Sequence, residues 1–164
     1  MSPTLTDALN RQANRELYTS NLFRALSYWA DAEHLGGFSA FFATQAEEEE
    51  GHAKKFYQFI TDRGTVPVVG PIDAPKAGYE SLLEIANLLC AHERANTVAI
   101  NALYEVALAE KDYATQVFLH YFISEQVEEE SWTAKLQTKV KQTTCGGALF
   151  NLDRHITKEL LGKD

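Results

Sequence analysis

A stripe of residues spaced alternately four and three apart runs from residue 38 to residue 59, with ionisable groups at its centre. Its members are Phe38, Phe42, Gln45, Glu49, His52, Phe56 and Phe59. This spacing places them on one face of an α-helix, and the aromatic members predict that the face is buried. A carboxylate is costly to bury unless it is paired, protonated or bound to a metal, so Glu49 needs a partner from elsewhere in the chain.

Three other segments carry the same anomaly, an acidic residue inside an apolar helical stripe. The acids are Glu16 in the first segment, Glu93 in the third, and Glu125 and Glu129 in the fourth. Carboxylates that converge on one core repel each other, and burial favours their protonated form. Bound multivalent cations would remove this repulsion and allow the buried carboxylates to stay ionised. Four helices that each point acid inward therefore predict a metal site.

The composition fits a single domain, residues 1–164, that buries a real core, since 45% of the residues are hydrophobic. The net charge of -8 argues against nucleic-acid binding, which uses a basic face. No stretch approaches the roughly 18 apolar residues of a membrane span. The N-terminal segment also lacks the basic start and continuous apolar run of a signal peptide. We therefore expect a soluble, cytoplasmic protein that binds neither nucleic acid nor membrane.

The breaks between the stripes predict an all-α fold with four long helices. Their predicted ranges are Leu5 to His34, Phe38 to Arg63, Tyr79 to Glu110 and Asp112 to Gln142. Gly36 and Gly37 are expected to end the first helix, and a tight turn near Lys111 joins the last two. Prolines and glycines exclude a helix from residues 64–78, which could span about 50 Å, more than the roughly 39 Å of a 26-residue helix. Two hairpins joined by one long crossover loop are the topology of a ferritin-like four-helix bundle.

A short fifth helix is predicted after Gly146 and Gly147. Its apolar face carries Leu149, Leu152, Ile156 and Leu160. Four packed helices leave little partner surface for this face, so we expect the fifth helix to contribute to assembly.

The inward-facing polar groups form one candidate site, made of Glu16, Glu49, His52, Glu93, Gln126 and Glu129. A spacing of three places His52 beside Glu49, and Gln126 beside Glu129, on one helix face each. Abundant carboxylate with one imidazole and no thiolate favours iron or manganese over copper or structural zinc. A second acidic cluster lies one position around the helix surface and consists of Glu48, Glu125 and Glu128.

Each motif alone has a plainer interpretation. Runs such as residues 47–50 and 128–130 are usually solvated charged faces, and His52 could be a hydrogen-bonded core histidine. The other histidines, among them His92 and His120, are expected to be structural. Cys90 and Cys145 form no CxxC pair and are expected to be reduced thiols without a function. The coincidence of acids in four apolar stripes is what favours the metal site.

At these residues the chain resembles the bacterial non-haem ferritins over essentially its whole length. The motifs are Asn14-Arg-Glu16-Leu-Tyr18, Glu48-Glu49-Glu50-Gly-His52, His92-Glu93 and Ser124-Glu125-Gln126-Val-Glu128-Glu129, together with the C-terminal Gly-Gly and short helix. The resemblance implies that one iron of a ferroxidase centre is bound by Glu16, Glu49 and His52. It implies that the second iron is bound by Glu49, Glu93 and Glu129, with Gln126 close by. A third iron position would use Glu48, Glu125 and Glu128, and could share Glu129.

The function implied by this resemblance is iron storage. Such a protein oxidises Fe(II) at its di-iron centre with dioxygen or peroxide and deposits a ferric mineral inside a hollow shell of twenty-four identical subunits. The short fifth helix would line the fourfold axes of that shell.

Two departures from the family pattern are visible. Most ferritins have a tyrosine seven residues after the first ligand, and this chain has Phe23 there, so any step that relies on that phenol is in doubt. Bacterioferritins bind haem through an internal methionine, whereas Met1 is the only methionine here, which excludes haem ligation of that type.

Three alternative functions stay open at this point. One is a structural cage subunit that does not oxidise iron, although such chains lack inward ligands. Another is a di-iron peroxidase of the rubrerythrin type, although the second ExxH pair is replaced by Gln126 and Glu129. The third is a DNA-protecting mini-ferritin, which would place its ligands between two subunits and lack the fifth helix.

Overall fold

The computed structural model describes residues 1–162, and its regular secondary structure in that range consists of five helices. The helices are α1 (Pro3–Ala32), α2 (Gly36–Asp62), α3 (Leu82–Ala109), α4 (Tyr113–Gln142) and α5 (Gly146–Leu161). The predicted all-α class, with a four-helix bundle and a short fifth helix, is confirmed. No helix in residues 1–162 is both long enough and apolar enough to cross a membrane. Lys163 and Asp164, which end the predicted domain, lie outside the described residues.

Side-chain caps determine where three of the long helices begin. Ser2 Oγ accepts a hydrogen bond from Leu5 N (3.0 Å), and Ser81 Oγ accepts one from Glu84 N (3.2 Å). The Asp112 carboxylate caps α4 in the same way. Each cap satisfies a backbone donor that the first helical turn leaves free. Because Ser81 is the cap, α3 begins three residues later than the predicted start at Tyr79.

The turn between α1 and α2 differs from the prediction. His34 adopts the left-handed backbone conformation that ends α1, with φ 60°, and Gly36 and Gly37 lie in the first turn of α2. Gly37 instead allows α5 to pack closely against α2, because a Cβ at position 37 would lie 1.8 Å from Asp153 O in α5. The Asp153 side chain also accepts a hydrogen bond from Phe38 N (2.9 Å). The start of α2 is therefore capped by the fifth helix.

The fifth helix packs on its own subunit, which corrects the expectation that little surface remained for it. It contacts α2 and α4, and Leu152, Ile156 and Leu160 are almost fully buried there. Phe150, on another face, is 68% exposed. The apolar stripe of α5 thus closes one end of the bundle, and a role of this helix in assembly stays a prediction.

The long crossover between α2 and α3 runs along α1. Near the start of α1, Asn10 Oδ1 accepts a hydrogen bond from Val68 N (2.8 Å). Near its end, the Trp29 indole N–H donates to Tyr79 O (3.1 Å). These contacts are separated by roughly 28 Å along the helix axis, at 1.5 Å per residue. The predicted crossover is confirmed, and it makes α2 and α3 run in the same direction.

Two apolar clusters fill the bundle, and a polar layer separates them. The fifth-helix cluster includes Leu22, Phe23, Phe41, Ile85, Leu136 and Leu152. The N-terminal cluster includes Leu5, Leu9, Phe56, Ile100, Leu119 and Phe122. Along every long helix, an acidic residue lies between members of the two clusters, namely Glu16, Glu49, Glu93 and Glu129. Apolar packing on both sides shields this layer from water.

Candidate metal centre

Each long helix contributes buried ionisable groups to the polar layer. The five predicted inner ligands are between 0% and 5% exposed and are Glu16, Glu49, His52, Glu93 and Glu129. Each of them lies three or four residues from members of an apolar stripe, and residues at that spacing share a helix face, so they point inward. The antiparallel pairing of α1 with α2 brings their ligands to one level, as shown by Ser20 Oγ, which donates to Ala46 O (2.7 Å).

The first group of possible ligands consists of Glu16, Glu49 and His52. One ligand atom from each residue lies within 4.8 Å of the others. His52 Nδ1 faces Glu49 Oε2 at 3.4 Å. Two carboxylates and one imidazole can supply three donors to a single cation, which we call the first metal position.

The second group consists of Glu49, Glu93 and Glu129, again with ligand atoms within 4.8 Å of one another. Glu49 belongs to both groups, so one carboxylate can bridge two cations. Glu93 Oε1 is buried without a hydrogen-bond partner. A buried polar atom without a partner is destabilising, and coordination to a cation would satisfy it. We call this the second metal position.

The carboxyl groups of the layer are shifted towards their protonated forms. Burial, followed by the charges of neighbouring carboxylates, raises the pKa of Glu16, Glu49 and Glu129 well above the usual value. Burial raises the pKa of Glu93 to about 7, although the Gln126 amide opposes the shift. Burial also lowers the pKa of His52. Without a cation, the layer therefore holds protons that a metal ion would displace.

Hydrogen-bond donors orient two of these carboxylates. The Gln12 amide donates to Glu16 Oε1 (2.5 Å) and to Asn96 Oδ1 (2.7 Å). The Trp132 indole N–H donates to Glu129 Oε2 (2.5 Å). Sequence reasoning did not identify these donors as part of the site. Their spacing of four and three from the carboxylates they contact is the signal that could have indicated them.

Gln126 lies beside the second metal position, where the resemblance placed it. Its amide nitrogen is 3.4 Å from Glu93 Oε2 and donates to Glu93 O (3.2 Å) and Thr97 Oγ1 (3.2 Å). The Asn96 amide in turn donates to Gln126 Oε1 (3.4 Å). Gln126 therefore acts on Glu93 as a hydrogen-bond donor in this arrangement.

The outer acidic cluster is only partly assembled as predicted. Glu48, His52 and Glu125 form a third group of possible ligands, and the Gln45 amide donates to Glu48 Oε2 (2.9 Å). Glu128 is exposed and belongs to none of the groups found in residues 1–162. His52 thus lies between the inner and outer clusters, and a role for Glu128 in metal binding stays a prediction.

Phe23 occupies the place where the resemblance implies a phenol. It is fully buried, and its ring centroid lies 6.2 Å from that of Phe42 and 6.0 Å from that of Trp132. It brings no hydrogen-bond donor to the layer. His92, next to Glu93 in sequence, lies 2.9 Å from Thr19 Oγ1 instead of joining a group of possible ligands. Burial, helped by the positive charge of Arg15, lowers the pKa of His92 to about 4.

Comparison with known proteins agrees with this fold. The family model of the ferritin-like domain, named Ferritin, matches residues 6–143. A bacterial non-heme ferritin of Staphylococcus epidermidis is 42% identical over 131 residues, covering 80% of this chain and 79% of that protein. One from Bacteroides fragilis is 36% identical over 150 residues, covering 92% of this chain and 94% of that protein.

Solved structures are similar over nearly the whole chain. An open pore ferritin from the hyperthermophilic archaeon Archaeoglobus fulgidus superimposes with a TM-score of 0.93 at 33% identity, covering 96% of this chain and 98% of that one. The ferritin of Chlorobium tepidum superimposes with a TM-score of 0.85 at 35% identity, again covering 96% and 98%. The chain described here belongs to the ferritin family, with bacterial non-haem ferritins among its relatives.

Proposed function

We propose that this chain is an iron-storage ferroxidase that oxidises Fe(II) at a di-iron centre within one subunit. The observation that carries the proposal is the pair of three-ligand groups joined by Glu49. Two cations that share a carboxylate are held close enough for one oxidant to accept an electron from each. Membership of the ferritin family supports the iron-storage part of this role.

The charges of the layer suit two divalent substrate ions. Four inner carboxylates carry four negative charges when ionised, and two Fe(II) ions carry four positive charges. A lone carboxylate buried at this depth would be protonated, so binding of the substrate and ionisation of the site support each other. Carboxylate and imidazole ligands without thiolate suit iron.

The electron balance of the proposed reaction is simple. Each Fe(II) gives up one electron and becomes Fe(III). Together with two protons, the two electrons reduce dioxygen to hydrogen peroxide, or hydrogen peroxide to two molecules of water. The ferric product carries more charge than the inner carboxylates balance, and the outer group of Glu48, His52 and Glu125 lies next to it. We infer that Glu48 and Glu125 of this outer group receive a third iron on its way to the mineral.

The setting of this chemistry is also part of the proposal. We infer a cytoplasmic shell of twenty-four subunits that encloses the ferric mineral, since the chain matches ferritins over nearly its whole length. Size-exclusion chromatography with light scattering tests the assembly, because such a shell has about twenty-four times the 18.4 kDa of one chain.

The test of the oxidation compares two neighbouring glutamates. Fe(II) is mixed with each protein in air, and ferric absorbance is followed by stopped flow. Glu49→Ala removes the shared ligand and should abolish the rapid phase. Glu47→Ala removes an exposed carboxylate of the same helix and should leave that phase unchanged. Equal rates in the wild type and Glu49→Ala would contradict the proposal and favour a cage subunit without oxidase activity.

A further inference from the structure

The indole of Trp132 is attached directly to a carboxylate of the second metal position. Its N–H donates to Glu129 Oε2 at 2.5 Å, and both side chains are buried. A hydrogen bond to an ionised acceptor is about twice as strong as one between neutral groups. Within the described residues, Trp29 is the other tryptophan, and its indole donates to the backbone oxygen of Tyr79, far from the layer.

The position of the indole is fixed by its helix and its neighbours. Trp132 follows Glu129 by three residues on α4, and long helical side chains point back over the preceding turn, where Glu129 lies. The ring centroid of Trp132 is 5.3 Å from that of Phe41 and 6.0 Å from that of Phe23. An indole packed between two aromatic rings has little freedom to rotate. The donor therefore stays in place whether or not a metal is bound.

This contact limits what Glu129 can offer a cation. A carboxylate has two oxygens with about four sites that can accept a hydrogen bond, and the indole already uses one site of Oε2. The other sites stay available to a cation, but the fixed donor limits how far the carboxylate can rotate towards it. The indole therefore fixes the orientation in which the Glu129 carboxylate meets a cation.

We propose that Trp132 is a positioning residue that sets the affinity of the second metal position by fixing the orientation of the Glu129 carboxylate. The inference rests on the proposed di-iron site. The proposal also bears on Phe23. The aromatic hydrogen-bond donor beside the centre is an indole on α4, packed against the position where the family usually has a phenol on α1.

The experiment measures binding of Zn(II), which is redox-inert, to the metal-free protein by isothermal titration calorimetry. The wild type should bind one Zn(II) at each inner position. Trp132→Phe keeps an aromatic ring without the donor and should weaken one of these two events by about tenfold or more, as loss of a residue that orients a metal ligand does. Trp132→His keeps a ring N–H and should recover part of the affinity. Trp29→Phe removes the other indole and should leave both events unchanged.

A double-mutant comparison identifies the position affected. Glu93→Ala removes a ligand of the second position only, so the remaining inner Zn(II) should bind equally well with and without Trp132→Phe. If Trp132→Phe weakens that remaining event too, the effect is not specific to the second position and the inference is wrong. Non-additivity of this kind is expected only for residues that act on the same site.

Fluorescence gives a readout that needs no substitution at Trp132. In the Trp29→Phe protein the emission comes from Trp132 alone among the tryptophans. Addition of Zn(II) should change this emission in the Trp29→Phe protein. It should not change the emission of the double variant that carries Trp29→Phe and Glu93→Ala. If the emission does not change when Zn(II) is added, the inference is wrong, even if Trp132→Phe fails to fold.

The outcomes separate this inference from the proposed function. If the wild type binds no Zn(II) at the inner positions, the di-iron site itself is wrong. If Trp132→Phe is folded and binds both ions as tightly as the wild type, the site stands and the role of Trp132 is wrong.

Discussion

His52 Nδ1 lies 3.4 Å from Glu49 Oε2 in the polar layer between the two apolar clusters of the bundle. The two residues are 4% and 3% exposed. Burial lowers the pKa of His52 and raises that of Glu49, so each prefers its neutral form when no cation is present. The pair therefore does not stabilise the fold as an ordinary salt bridge does. Binding of a metal ion at this pair would instead displace protons.

The stability of the metal-free protein should decrease as the pH rises from about 5 to about 8. Burial raises the pKa of Glu93 from 4.5 to about 7, so the folded state binds more protons than the unfolded state in this window. The contribution of such a group is complete below its unfolded pKa and is lost as the pH passes its folded pKa. For Glu93 alone this amounts to about 3 kcal/mol as an upper estimate.

Thermal unfolding of metal-free protein at several pH values checks this prediction. Glu93→Gln cannot ionise and should flatten the dependence, whereas Glu47→Gln, at an exposed position of α2, should not. A stability that increased between pH 5 and pH 8 in the wild type would contradict the raised pKa values of the layer.

Metal binding at pH 7 should release protons. The pKa values of Glu16, Glu49 and Glu129 are raised well above the usual value by burial and by neighbouring carboxylates, so part of the layer is protonated before a cation arrives. Calorimetric titration with Zn(II) in two buffers of different ionisation enthalpy measures the number released. Heats that do not depend on the buffer would show that the layer is already ionised.

Asp112 should stabilise the fold above about pH 4. Arg63 donates to both of its carboxylate oxygens, at 2.9 and 2.7 Å, and this pairing holds the pKa of Asp112 well below its usual range. A lowered folded pKa gives stability that is present above the unfolded pKa and is lost as the pH falls. Asp112 also caps α4, so Asp112→Ala should destabilise by about 1 to 3 kcal/mol at pH 7.

Denaturant unfolding of Asp112→Ala at pH 7 and at pH 3 measures this effect, with Asp7→Ala, at an exposed position of α1, as the control. The decrease in the free energy of unfolding caused by Asp112→Ala should be large at pH 7 and smaller at pH 3. An equal loss at both values would mean that the ion pair contributes nothing.

Gly37→Ala should displace α5, whereas Gly36→Ala should be tolerated. A Cβ at position 37 would lie 1.8 Å from Asp153 O, while a Cβ at position 36 meets nothing within 4 Å. Displacement of α5 would also remove the hydrogen bond from Phe38 N to the Asp153 carboxylate. We expect Gly37→Ala to lower the free energy of unfolding by about 1 to 3 kcal/mol, as other overpacked contacts do.

Thermal unfolding and limited proteolysis of the C-terminal segment compare the two alanine variants. Faster cleavage within α5 in Gly37→Ala alone is the expected result. If both variants behave like the wild type, the close approach of α5 to α2 is wrong.

The sequence predicts the long helices and the inward acids because both depend on a periodicity within one segment. Glu16, Glu49, Glu93 and Glu129 each interrupt an apolar stripe, and this anomaly is visible without a partner helix. The roles of hydrogen-bond donors are harder to predict. Trp132 has the pattern of an ordinary core residue, and only its orientation in the bundle shows that its indole meets a carboxylate.

The fifth helix shows the same limit. Its apolar stripe predicts a buried face but not the surface that buries it, since the space between α2 and α4 depends on all four long helices. The pair Gly36 and Gly37 was likewise expected to end a helix because glycine commonly does so. The actual constraint at Gly37 is the carbonyl oxygen of Asp153, which is 116 residues away in sequence.

The most direct test of the central claim is a crystal structure of the protein soaked anaerobically with Fe(II), with iron located by anomalous scattering. We predict two inner iron peaks in each subunit, one beside Glu16 and His52 and one beside Glu93 and Glu129, with the Glu49 carboxylate bound to both. Iron found only at the outer group, or only between two subunits, would contradict the account.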